Sequence, residues 1–121
     1  MELFDVTQRS LEVALHGTEL RQSVLANNIA NVNTPGFKRS DVTFQDQLQQ
    51  SLSFDGDGSS LSSIQPRVTV EGDTTMRTDG NNVDPDREAA RLAETQLLFQ
   101  ALMSVTAKRL STMSQLITGA R

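Results

Sequence analysis

The stretch Ala26-Asn27-Asn28-Ile29-Ala30-Asn31-Val32-Asn33-Thr34-Pro35-Gly36-Phe37-Lys38-Arg39 constrains the fold more than any other part of the chain. It closes a long amphipathic segment with four asparagines and a Thr-Pro-Gly run. Each element helps to end a helix. Asparagine tolerates the left-handed conformation found just past helix ends, which predicts that the asparagines terminate the segment in that way. Proline disfavours helical backbone in the residue before it, here Thr34. Pro35-Gly36 fits the two central positions of a type II turn, the second of which needs a positive φ. A generic helix stop would explain Pro35 and Gly36. It would not explain paired asparagines at Asn27 and Asn28 with Ile29 and Ala30 spaced before Asn31.

Upstream, Leu3 to Asn31 reads as one helix, without proline and with Gly17 its only glycine. Placing residues about 100° apart gives two apolar stripes. Phe4, Leu11, Leu15, Leu25 and Ile29 lie along one face, and Val6, Val13, Leu20 and Val24 lie nearly opposite. A surface helix of a monomer needs one such stripe. Two stripes predict packing on both sides, and a chain with only one other long helix is expected to leave the second side to an assembly.

That other helix is predicted over Pro85 to Thr118. Asp84-Pro85-Asp86-Arg87-Glu88 offers an Asp cap, Pro at the first helical position and acids in the first turn. Beyond Leu92, the residues Phe99, Met103, Thr106, Leu110, Met113 and Ile117 recur at alternating three- and four-residue steps, the period of a coiled-coil seam. Ala90, Leu97, Ala101 and Val105 form a far-side line of smaller residues that would admit another helix closely. Gly119 marks the stop.

Between the helices, composition shifts to Ser, Gly, Asp and Gln. Phe44, Leu48 and Leu52 recur one helical turn apart, and Thr43 with Asp46 imitates a capping box, so a short helix is expected. Phe54 to Ser63 reads as a loop or disordered tip. Arg67-Val68-Thr69-Val70-Glu71 alternates like a short strand ended by Gly72-Asp73, needing either a small hairpin or an edge contact with a neighbour. The predicted fold is therefore mainly α: two long terminal helices in an antiparallel coiled-coil-like pair, with an irregular or β middle segment and one short helix. Its zones are residues 1–33, 34–83 and 84–121.

No constellation for catalysis is found. His16, the only histidine, has no second His or Cys to support a metal site. Asp55, Asp57 and Ser59 begin like a calcium loop, but Ser60 replaces the required glycine and Pro66 stands where a bidentate Glu belongs. The run from Asp79 fails likewise, at Asp84 and Ala90. Glycine-rich phosphate loops and nucleophile elbows are missing. An enzyme is not expected, and no cofactor. With no cysteine, neither a disulfide framework nor a thiolate metal site can form. The net charge of −4 argues against general nucleic-acid binding. No apolar run approaches the roughly 20 residues of a membrane span. Met1 to Asp5 lacks the basic-then-apolar character of a cleaved signal peptide, so work outside the cytoplasm would need another export route. Aromatics are only 4% of 121 residues, which leads us to expect burial completed by partner subunits.

As a run, Ala26 to Arg39 closely resembles the N-terminal signature of the axial proteins of the bacterial flagellum. Two further stretches resemble the flagellar basal-body rod family in particular, and its proximal members most. Phe37 to Phe44 matches an aromatic-basic-x-x-Asp-Val-x-Phe pattern, and Met76 to Glu88 matches a Leu-Asp-Gly-Asn-x-Val-Asp stretch with Thr78 in place of leucine. The resemblance covers residues 4–48 and 76–120; the middle is unusually short. A sister rod protein is the main confusable relative, distinguished by Ala14-Leu15-His16-Gly17, where it carries Ser-Gly-Leu or Ala-Ser-Gly.

The resemblance implies a structural subunit assembling helically into the rod that crosses the periplasm, with terminal helices forming an inner tube. Expected assembly contacts are Phe4, Leu11, Leu15, Leu20, Val24, Leu25, Leu92, Leu97, Phe99, Ala101, Met103, Leu110, Met113 and Ile117. Expected partners are copies of itself, other rod proteins, the base component joining rod to membrane ring, and the flagellar type III export apparatus. Neither nucleic acid nor a small-molecule substrate is implied. Phe44 to Leu48 has the Phe-x-x-x-apolar form read by the export gate, although a buried helix face would look the same. A soluble helical adaptor or secretion chaperone would share the amphipathic ends but would not need the Ala26 to Phe37 run.

Overall fold

A computed structural model describes residues 2–54 and 58–119, the side chains of residues 2–5 and 54 lying outside that description. Helix α1 spans Glu2–Ala30 and helix α3 spans Pro85–Gly119. Between them come strand β1 (Ser40–Thr43), helix α2 (Gln45–Phe54), a 3-10 turn (Ser59–Ser63) and strand β2 (Arg67–Val70). The start of α3 follows the predicted chemistry. Asp84 Oδ1 accepts from the Asp86 and Arg87 amides at 3.1 and 3.3 Å, with Pro85 where no amide is needed.

The last turns of α1 meet the first turn of α3 through Asn28 and Glu88, and these two helices share the most extensive contact in the chain. They form an antiparallel pair. On α1, Leu11, Thr18 and Leu25 are buried at seven-residue spacing. On α3, Glu88 and Thr95 are buried, and Leu92, Phe99, Leu102, Thr106, Arg109 and Met113 are half-buried. The α3 seam therefore steps 88, 92, 95, 99, 102, 106, 109, 113, a regular heptad spacing. This differs from the predicted seam. Leu102 and Arg109 take the places expected for Met103 and Leu110, which are exposed together with Ile117. The reason lies at the start of the helix. Burying Glu88 sets the rotation of α3, and positions two turns apart then repeat on that face whether apolar or not.

The second stripe of α1 is half-buried within the chain itself, at Val6, Val13, Leu20 and Val24, whereas the expectation left that side to an assembly. The middle segment folds back onto α1 through β1, α2 and the 3-10 turn. A Cβ at Gly17 would fall 2.7 Å from the Phe44 ring, and one at Gly58 2.8 Å from Val6. Leu61, inside the supposed loop, is completely buried. The 3-10 turn thus replaces most of that loop, with Ser51 and Ser60 hydroxyls paired beneath it. Residues 55–57 lie outside the described residues.

The predicted strand finds its partner in β1, antiparallel, pairing Ser40 with Val70, Asp41 with Thr69, Val42 with Val68 and Thr43 with Arg67. Ser and Asp are poor strand formers, so β1 has little sequence signal of its own. Because Thr43 is in β1, the capping box does not form; the Phe44 carbonyl accepts the first α2 bond, from the Leu48 amide, at 2.9 Å. Phe44 is buried, Leu48 half-buried and Leu52 exposed, so the predicted apolar face of α2 is covered at its start, while Ser51, buried against the 3-10 turn, holds its second half.

Gly17→Ala separates two effects of opposite sign. Alanine should gain about 1 kcal/mol of helix propensity. Overpacking against the buried Phe44 ring should cost about 1–3 kcal/mol. Net destabilisation is expected, read as a lower urea midpoint with an unchanged slope.

Candidate functional site

The two marked segments, the asparagine-rich exit of α1 and the Asp79 to Glu88 run, come together as one polar clasp. Pro35-Gly36 forms the type II turn predicted. The Phe37 amide donates to the Thr34 carbonyl at 3.2 Å, and Gly36 has φ +71°. The Gly36 amide then donates to the Asp79 carbonyl at 2.9 Å, seating this turn on the one before Asn81.

The asparagines do not act as predicted. Among the described residues, no residue other than glycine has a positive φ. Side-chain hydrogen bonds end α1 instead. Asn31 Nδ2 donates back to the Asn27 carbonyl at 2.8 Å, and the Thr34 hydroxyl donates to Asn31 Oδ1 at 3.1 Å. A helix end leaves carbonyls without intrahelical donors. Asn81, completely buried, supplies the donor: its Nδ2 lies 3.0, 3.1 and 2.9 Å from the carbonyls of Asn31, Val32 and Thr34. Arg77 also donates to the Val32 carbonyl. Asn81 Oδ1 accepts from the Val83 amide at 2.7 Å, which holds the chain ready for the α3 cap.

Asn28, also completely buried, works like a strand beside β1. Its Nδ2 donates to the Ser40 carbonyl at 2.7 Å and its Oδ1 accepts from the Ser40 amide at 3.0 Å. The same Nδ2 lies 2.9 Å from Glu88 Oε2. The other oxygen of Glu88 accepts from Arg39 Nε at 2.6 Å and from Arg91 Nη1 at 3.2 Å. Arg39 further reaches Glu71 at 2.5 Å and Asp41 at 3.4 Å. Asn82 completes the ring: its Oδ1 accepts from the Arg39 amide at 2.7 Å and its Nδ2 donates to the Glu71 carbonyl at 2.7 Å.

Burial opposes the charge on Arg39, but Glu88, Glu71 and Asp41 more than offset it and hold the guanidinium above its ordinary pKa. Burial likewise opposes the charge on Asp41. Hydrogen bonds from Arg21, at 3.0 Å, and from the Val42 amide prevail and keep this carboxyl below the usual carboxylate range. Arg39, Arg87 and Arg91 share a cavity of about 340 Å³ with Glu71, Asp84 and Glu88, so the lining carries matched charge. Such an arrangement fixes geometry. Among the described residues, no cluster of His, Cys, Asp or Glu could hold a metal ion, and no helix is long and apolar enough to cross a membrane.

Of the signature residues, Asn28 is buried, Ile29, Asn31 and Phe37 are half-buried, and Asn27, Ala30, Thr34, Pro35 and Gly36 are exposed. Among the expected assembly residues, Leu11 and Leu25 are buried, and Leu15, Leu20, Val24, Leu92, Phe99 and Met113 are half-buried. Leu97, Ala101, Met103, Leu110 and Ile117 are exposed; the Phe4 side chain lies outside the described residues. Sequence reasoning missed Arg39, Asn81, Asn82 and Glu88 as a connected group. Of these only Asn81 stands at a specified place in the matched stretches; Arg39 and Asn82 fall on their variable positions.

A long helical hairpin closed by a polar clasp, with an apolar outer face on α3, has the build of a subunit made to pack with others. Comparison with known proteins agrees. The sequence pattern of flagella basal body rod proteins matches residues 9–38. The flagellar basal body rod protein FlgB of Bacillus subtilis is 34% identical across 100% of both chains. FlgB of Borreliella burgdorferi is 32% identical, covering 85% of this chain and 86% of its own. FlgB of Escherichia coli is 27% identical, covering 97% and 96%. The chain belongs to the FlgB family of flagellar basal-body rod proteins, and it is a structural subunit of the flagellar basal body.

Asn81→Ala removes the donor shared by three carbonyls while leaving them enclosed. A loss of about 1–3 kcal/mol in unfolding free energy is expected, with amide exchange rising first at Val32 to Phe37.

The Asp41 contribution has a defined pH direction. A carboxyl whose folded pKa lies below its unfolded value stabilises above the unfolded pKa, about 4, and loses that contribution as pH falls through the folded pKa. Asp41→Asn should lower stability at neutral pH and flatten the acid limb below about pH 4. An acid limb as steep as that of the native protein would place its origin elsewhere.

Proposed function

We propose that this subunit belongs to the proximal rod and assembles helically through α1 and α3 into part of the drive shaft. Residues 1–33 and 84–121 serve in this reading as the inner tube, and residues 34–83 lie outside it. The observation that carries it is the outer surface of α3. Leu97, Ala101 and Val105 are exposed on one flank of the seam, and Met103, Leu110 and Ile117 on the other. Large apolar residues in lines on both sides of an already paired helix mark contact surfaces. Neighbouring copies, other rod proteins and the base component joining rod to membrane ring are the occupants this reading assigns.

The same reading takes the subunit across the inner membrane unfolded, through the flagellar type III export apparatus, to a rod crossing the periplasm. Phe44 and Leu48 are its export-gate candidates. Phe44 is buried against Gly17 in the folded subunit, so a gate would have to read it before folding.

Electron microscopy of basal bodies from a deletion strain tests the placement: loss of the rod supports it, and intact rods refute it. Ala101→Leu tests the interface. Ala101 is exposed in the subunit, so folding stability should stay near native, while overpacking should cost about 1–3 kcal/mol at each assembled contact. Lost swimming in soft agar at normal cellular protein level is expected. Normal swimming would remove the Leu97 to Val105 flank from the assembly contacts.

A further inference from the structure

The two edges of the small sheet are treated differently. In an antiparallel ladder, alternate residues turn their peptide groups toward the partner strand and the others turn theirs outward. The Glu71 amide donates to the Arg39 carbonyl at 2.9 Å, which fixes the phase. Asp41 with Thr69 and Thr43 with Arg67 then face each other, and Ser40, Val42, Val68 and Val70 turn outward. On β1 three of the four outward groups are occupied. Asn28 occupies both the amide and the carbonyl of Ser40, and Asp41 Oδ1 accepts from the Val42 amide at 2.8 Å.

On β2, the outward peptide groups of Val68 and Val70 meet no partner among the described residues. Their side chains are 50% and 64% exposed, so an apolar pair and four hydrogen-bonding groups stand on one open edge. Natural edges of this kind are usually blocked by charge, bulges or cover.

The edge is also complementary to itself. The segment reads Arg67-Val68-Thr69-Val70-Glu71. Laid antiparallel on a second copy about Thr69, Val68 faces Val70 of the second copy and Val70 faces Val68, the pairing that the outward peptide groups require. The same register sets Arg67 opposite Glu71 of the second copy at both ends. Glu71 is half-exposed, so its salt bridge to Arg39 leaves carboxylate surface to meet that arginine. Opposite charges directly across a strand pair are favourable, and like charges are not.

We propose that the open edge of β2 pairs with β2 of a second copy of this chain, in a two-fold antiparallel contact centred on Thr69. An isologous contact closes at two copies, whereas a helical rod needs contacts that propagate. The pairing therefore belongs to the subunit outside the rod, and it is independent of the α3 surface. Four strand bonds and four valines cover less than a stable interface needs, so the dimer forms and separates readily.

Sedimentation equilibrium of the full-length chain over a concentration series tests the pairing, with amide exchange at Val68 and Val70 followed by NMR on the same samples. The expected result is a mean mass rising toward twice that of the monomer, together with slower exchange at those two amides as concentration rises. High salt should weaken both. Val70→Lys should abolish both with an unchanged thermal melt, and Arg67→Glu should reduce both. A mass independent of concentration overturns the proposal. So does association with Val68 and Val70 left unprotected, because that would run through α3. The exchange measurement uses the native chain and decides the question even where a variant fails to fold.

Discussion

Everything else in this subunit is arranged around the buried contact of Glu88 with Arg39 and Asn28. Glu88 lies in the first turn of α3, Asn28 in the last turns of α1, and Arg39 on the segment leaving the turn, so one carboxylate ties three parts of the chain. A buried charge pair contributes little net stability, because both ions lose water. Removing one partner is costly because the other is left uncompensated. Such a contact specifies geometry more than it adds free energy. Here it specifies the rotation of α3, and hence which residues of that helix face α1 and which face out.

That rotation decides the surface of the subunit. Apolar strength alone would choose Met103, Leu110 and Ile117 for the internal seam over Thr95 and Arg109. The clasp puts Thr95 and Arg109 on the inside face and leaves the stronger apolar residues exposed. The internal pair is consequently modest in apolar content, with Thr18 and Thr95 both buried near its middle. Their hydroxyls return to their own helices, to the carbonyls of Ala14 at 2.6 Å and Arg91 at 2.7 Å, so neither is left unsatisfied.

The short middle segment completes the same economy of contacts. It supplies cover for α1 through Phe44 over Gly17 and through Leu61 with Gly58 beside Val6. In return, the Asn28 amide of α1 stands in for a strand along part of the β1 edge. Asn28 thereby serves both the sheet and the clasp, while Asn27 Oδ1 accepts from Asn31 Nδ2 at 3.2 Å at the end of α1, so each member of the asparagine pair has its own task.

Several features were determined by local sequence. The two long helices, the Asp84 cap with Pro85, and the Thr34-Pro35-Gly36 turn with its positive φ follow from propensity and turn chemistry, which act over a few residues. The family resemblance was legible for the same reason, since its motifs are contiguous strings. Tertiary structure alone decided the seam, the strand β1 and the clasp. Each depends on partners tens of residues apart, such as Asn31 with Asn81 or Arg39 with Glu88. Periodicity reports which residues are apolar, but a buried polar contact can turn a helix against that pattern, because an unpaired enclosed charge costs more than an exposed leucine. Hence the helices could be read from the sequence, whereas the face of α3 was legible only at Leu92, Phe99, Thr106 and Met113 and not at Leu102 and Arg109.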